Sequence, residues 1–76
     1  MNALEKFLKT STPDERLIVA THAGTTVNYL YQIASGERAP SVSIAVGIEQ
    51  GTRAVRTHRR KAQLVSCEDL AAIKRK

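Results

Sequence analysis

The sequence predicts a small, mainly α domain of four to five helices and admits a short β-hairpin near its C-terminus. Three observations lead there. Apolar residues recur at helical spacing through the first half of the chain. Two capping signatures, "TPDE" and "SCED", announce helix starts. Gly24, Gly36 and Gly51 stand where the periodic runs stop. The 76 residues suit one domain. A core of that size is marginal by itself, which favours a homodimer on stability grounds.

Ala3, Leu4, Phe7 and Leu8 predict a first helix ending near Lys9. In "TPDE", Thr12 is an N-cap, Pro13 suits the first helical position, and Glu15 can reach back to the Thr12 amide. A second helix then runs from Pro13 to about Ala23, with Leu17 and Ala20 on its inner stripe and Val19 and Ala23 alongside. Gly24 ends it, because a left-handed residue costs glycine least. Thr25 or Thr26 caps a third helix from Val27 to about Ser35, which Gly36 stops. Thr26, Leu30, Ile33 and Ala34 share one face of it, and Asn28, Tyr31, Gln32 and Ser35 the other. Pro40 opens a fourth helix, with Ser41 or Ser43 assisting the cap. Val42, Ala45, Val46 and Ile48 are its expected buried side and Gly51 its end.

Beyond Gly51, Val55, Thr57 and Arg59 alternate with Arg56, His58 and Arg60. "AQLVS" can supply a partner strand, with a turn near Arg60 and Lys61. No Asn-Gly or Asp-Gly turn is present, and alanine and arginine also tolerate a helix, but the alternation favours the hairpin. Ser66 then caps a last short helix that turns Leu70 and Ile73 inward. The chain accordingly divides into a helical core, residues 1–51, and a basic C-terminal segment, residues 52–76. Charge follows the same division. Residues 1–50 carry net −1 and residues 51–76 net +6, an asymmetry that suggests a polyanionic partner or a solubilising tail.

Other function classes find little support. No apolar run approaches the ~20 residues of a membrane span, and "MNALEKFLKT" lacks the form of a signal peptide. The single cysteine, Cys67, suits a reducing compartment, so a cytoplasmic location is expected. His22, His58 and Cys67 have no metal-ligand spacing, and neither a cofactor nor an enzymatic activity is expected. Cys67 stands at a helix start, where a thiol pKa can fall, but the sequence nominates no catalytic partner. The polar face of the third helix is the more informative feature. Asn28, Tyr31, Gln32 and Ser35 offer amide, phenol and hydroxyl groups without a full charge, and such groups suit base edges in a DNA major groove. An ordinary solvated helix face is the bland alternative.

Arg16 to Ser35 resembles the helix-turn-helix of phage Cro and CI-type repressors. Ala20 stands at the small fifth position and Gly24 at the ninth, in the turn. Val19, Ala23, Leu30 and Ile33 fill the apolar fourth, eighth, fifteenth and eighteenth positions. Thr25 departs from the aliphatic residue usual there, and its hydroxyl must find a partner or water. "GERAPSVSIAVGIEQGT" is similar to the connection and fourth helix of small Cro-like regulators. The resemblance implies a sequence-specific, double-stranded DNA-binding transcriptional regulator of phage or prophage origin, acting in the bacterial cytoplasm. It implies base contacts from Thr26, Val27, Asn28, Tyr31 and Gln32, and phosphate contacts from Arg16, Ser35, Arg38, Arg56, Arg59 and Arg60. It also implies a homodimer on a palindromic operator, with an interface expected around Val55 and Leu64. The alternative is a helix-turn-helix protein-interaction module whose basic tail binds nucleic acid without sequence preference.

Overall fold

A computed structural model describes residues 1–75. It contains five helices: α1 (Ala3–Thr10), α2 (Pro13–Ala23), α3 (Val27–Ala34), α4 (Val42–His58) and α5 (Cys67–Ala71). Each start is set by a side-chain cap. Asn2 and Glu5 form a capping box on α1, Thr12 and Glu15 on α2, and Ser66 and Asp69 on α5. Thr26 caps α3 and Ser41 caps α4. Each such cap satisfies amides that the helix leaves open, at about 1 kcal/mol.

Glycine closes α2 and α3 in the same way. Gly24 adopts φ 68°, and the Thr25 amide donates back to the Ala20 carbonyl at 3.0 Å. Gly36 adopts φ 86°, and the Glu37 amide donates to the Gln32 carbonyl at 3.0 Å. Both are Schellman ends, which need a residue tolerant of positive φ. The Gly24 turn joins α2 to α3, and the two helices pack together. Their inner side chains are Val19, Ala20 and Ala23 from α2 and Leu30, Ile33 and Ala34 from α3. Leu4, Phe7 and Leu8 of α1 complete that side of the core.

α4 departs from expectation. Gly51 does not end it, and the helix continues through His58. Its buried positions are Gly47, Ile48, Gly51, Thr52 and Val55, with Ile44 packed against the core, so the inner stripe includes both glycines. α2 and α4 run antiparallel, with Ala23 opposite Gly47, Val19 opposite Gly51 and Glu15 opposite Arg59. A Cβ on Gly47 would lie 2.5 Å from the Ala23 Cα, and one on Gly51 2.8 Å from the Val19 Cα. The missing side chains let two backbones meet, and that packing offsets the cost of about 1 kcal/mol that glycine imposes inside a helix.

The stripe through the glycines rotates α4 away from the predicted orientation. Val42 is 82% exposed and Val46 40% exposed, so neither belongs to the buried side. Ile48 does, at 0%. Leu17 on α2 also faces outward, 59% exposed, because Val19, Ala20 and Ala23 fill the inner arc. Thr26 is exposed as a cap and is not on the inner face.

The expected β-hairpin does not form: no strand occurs among the described residues. Its first half is the end of α4, where burial of Val55 on α2 and the core favours helix over alternation. Its second half is a connector pinned by one side chain. The Thr52 hydroxyl accepts from the Val65 amide at 3.1 Å and donates to the Glu49 carbonyl at 3.0 Å. Val65 and Ala62 bury their side chains beside it, and α5 follows with Leu70 in the core. Residue 51 therefore lies within a helix, and residues from both sides of it share one core.

Candidate nucleic-acid interface

Three apolar side chains, Leu30, Ile33 and Ala34, hold α3 in the core, which leaves the opposite face outside. Asn28, Tyr31 and Ser35 are exposed on that face and Gln32 is half-buried. Among the described residues, neither amide side chain nor the Tyr31 phenol is hydrogen-bonded within the protein. Their donors and acceptors are open to a partner. Thr26 stands at the same end as Asn28, and its hydroxyl oxygen accepts from the Tyr29 amide at 3.1 Å, which leaves its O–H free to donate. Val27 is half-buried against the core and offers this face less than its neighbours do. Ser35 caps the helix end and donates to the Gln32 carbonyl at 3.0 Å.

The arginines expected on phosphates divide into two groups. Arg16 and Arg59 serve the fold. The Arg16 guanidinium donates to the Leu8 carbonyl at 3.1 Å and the Ser11 carbonyl at 2.9 Å, which closes the end of α1. Arg59 meets both oxygens of Glu15 at 2.9 Å and so ties the end of α4 to the start of α2. That bidentate contact holds the Glu15 carboxyl below its ordinary pKa, with the Thr12 amide adding to the effect. Arg38, Arg56 and Arg60 remain exposed. Arg38 follows α3 directly, whereas Arg56 and Arg60 stand at the far end of α4, beside the start of α2. Arg53 is paired with Glu49 at 2.7 Å. The net +6 of residues 51–76 is thus not one tail, since Lys74 and Arg75 return toward Gly36 and Arg38.

One basic residue escaped the sequence reading. Lys9 of α1 borders the same shallow recess as Tyr31 and Ser35, because α1 packs beside α3. The Asn2 side chain fixes that placement by donating to the Ala34 carbonyl at 2.9 Å. The linear sequence separates Lys9 from Tyr31 by the whole of α2 and gives no signal for the pairing. Lys9 shares that recess with the half-buried acid Glu5, while the exposed Glu37 and Arg38 lie beyond the C-terminal end of α3.

Two further expectations change. Val55 is 1% exposed and cannot form part of a dimer surface. The Cys67 thiol pKa is raised, not lowered, by partial burial and by the Glu49 carboxylate beside it. Glu49 also accepts from the Cys67 amide at 2.8 Å, and this bond, with Arg53, keeps its own carboxyl below the ordinary value. Among the described residues no group of three or more His, Cys, Asp or Glu side chains is placed to hold a metal, and no helix is long and apolar enough to cross a membrane. No known protein family, curated protein or solved structure matches the chain.

Proposed function

We propose that the protein is a sequence-specific double-stranded DNA-binding regulator of the Cro-like kind, with α3 in the major groove. One observation carries the reading. The exposed face of α3 presents Asn28, Tyr31 and Gln32 without internal hydrogen bonds, while its other face is locked into the core. Amide side chains can grip adenine through two hydrogen bonds. Lys9, beside Tyr31 and Ser35, and the exposed Arg38 beyond the end of α3 would contact phosphates, and Arg56, Arg60 and Lys61 would add attraction at a distance. A two-fold homodimer would read two half-sites about one helical turn apart.

The test begins by selecting bound duplexes from random DNA. Gln32→Ala and Asn28→Ala should each lose about 1–3 kcal/mol on the selected site and almost nothing on scrambled DNA, because no charge is removed. Leu30→Ala should lose all binding, since an emptied core site costs about 2–5 kcal/mol of stability. Wild-type affinity for the selected site in both polar variants would refute the reading. The alternative, a protein-interaction module, has one observation in its favour: α2 carries Leu17 and Ile18 on its exposed side. It predicts no sequence preference in the selected pool.

A further inference from the structure

A cleft of about 270 Å³ opens between the end of α3, the first turn of α4 and α5. Its inner wall is apolar, with Ile33 and Leu70 buried and Ala45 and Ile73 half-buried. Its only charged lining residues are Arg38 and Arg75, both exposed, and neither forms an ion pair among the described residues. No carboxylate among the described residues lines it. Val42 stands at the mouth and is the most exposed large apolar side chain of the chain, 82%. An apolar interior with a purely cationic rim complements an amphiphile that carries a negative head.

Size narrows the class. At about 270 Å³ the cleft falls just below the roughly 300–1,000 Å³ of pockets for drug-sized ligands, which suits a single ring with its carboxylate. We infer that the cleft binds a small monocyclic carboxylate, with its ring against Ile33, Ala45 and Leu70 and its carboxylate on Arg38 and Arg75. A guanidinium matches a carboxylate with two parallel hydrogen bonds, so the head is recognised by geometry as well as by charge. The ring would also cover Val42. Because Arg38 is also a proposed phosphate contact, a bound carboxylate would compete there with a DNA phosphate. That consequence rests on the DNA reading, while the binding itself is measured without DNA.

Cys67 lines the cleft and is the only cysteine, so it serves as a reporter. The experiment titrates the full chain with benzoate and, separately, with neutral benzamide. Amide NMR shifts and the rate of Cys67 alkylation by iodoacetamide are followed. Benzoate should move the Ile33, Ala45 and Leu70 amides saturably and slow the alkylation. Benzamide should bind about ten-fold more weakly, the worth of one charge-assisted contact. Arg38→Gln and Arg75→Gln should each weaken benzoate several-fold with circular dichroism unchanged, and Lys6→Gln should leave it alone. Equal affinity for benzoate and benzamide would overturn the inference. So would saturable shifts confined to other residues, or no saturable shift at the solubility limit.

Discussion

Replacing Gly47 with alanine tests the packing of α2 on α4 directly. On a solvent-facing helical surface the change would stabilise the protein by about 1 kcal/mol, because alanine is the better helix former. Here the new Cβ would lie 2.5 Å from the Ala23 Cα and 2.5 Å from the His22 carbonyl oxygen, both backbone atoms that no rotamer change can remove. Ordinary contact begins near 3.4 Å, so the helices must separate by roughly 1 Å. A gap of that size forfeits a quarter to a half of each dispersion contact across the seam. Overpacking of this kind typically costs about 1–3 kcal/mol. The gain in propensity of about 1 kcal/mol offsets part of it and leaves a net loss of up to about 2 kcal/mol. For a domain of this length that lowers Tm by up to roughly 15 °C. Urea and thermal denaturation of Gly47→Ala should show the drop, and Ser43→Ala, exposed on the same helix, serves as the control. A rise in Tm for Gly47→Ala would refute the close approach of the two backbones.

Thr52→Val leaves the buried Val65 amide without its acceptor, so about 1–3 kcal/mol of stability should be lost. Hydrogen exchange at that amide should quicken more than exchange at the middle of α2. Arg59→Gln should lower Tm at neutral pH. The folded pKa of Glu15 is depressed, so the stability it contributes is present above the ordinary carboxylate value and lost as pH falls through the depressed one. The gap between wild type and Arg59→Gln should therefore close in acid, and a gap independent of pH would rule out the Glu15 pairing as its cause. Joint replacement of Arg56, Arg60 and Lys61 by Gln should flatten the slope of log affinity against log salt, by about one unit for each phosphate contact removed. Base preference in the same titrations should survive.

The parts of this fold that depend on local chemistry were legible in the sequence. Thr12 with Glu15 and Ser66 with Asp69 form the expected capping boxes, and Gly24 and Gly36 end their helices as their positions suggest. The inner residues Leu30, Ile33 and Ala34 of α3 also follow from spacing alone. What failed depends on partners distant in sequence. Gly51 reads as a stop because glycine is a poor helix former, yet the Val19 backbone lies against it and makes its bareness useful. Counting only apolar side chains then displaced the buried stripe of α4 onto Val42 and Val46. The alternation around Val55 imitated a strand because Arg56, Thr57 and His58 are exposed whichever way the backbone runs. Of the candidate interface, the polar face of α3 was readable. That Arg16 and Arg59 hold helices together, and that Lys9 stands beside Tyr31, needed the tertiary arrangement.

The turn between α2 and α3 has a consequence for chirality. An L-configured Cβ added at Gly24 would meet no atom within 4 Å, so space does not restrict that site. The objection to any other natural residue comes wholly from φ 68° and ψ 35°, a region that L-residues enter at a cost of about 1–2 kcal/mol. A D-amino acid prefers that region. D-alanine at position 24 would restrict the unfolded chain while fitting the folded backbone, a gain of about 0.4–1 kcal/mol by analogy with glycine-to-alanine changes at compatible sites. The site requires a handedness, and smallness is only the way a ribosome can supply it.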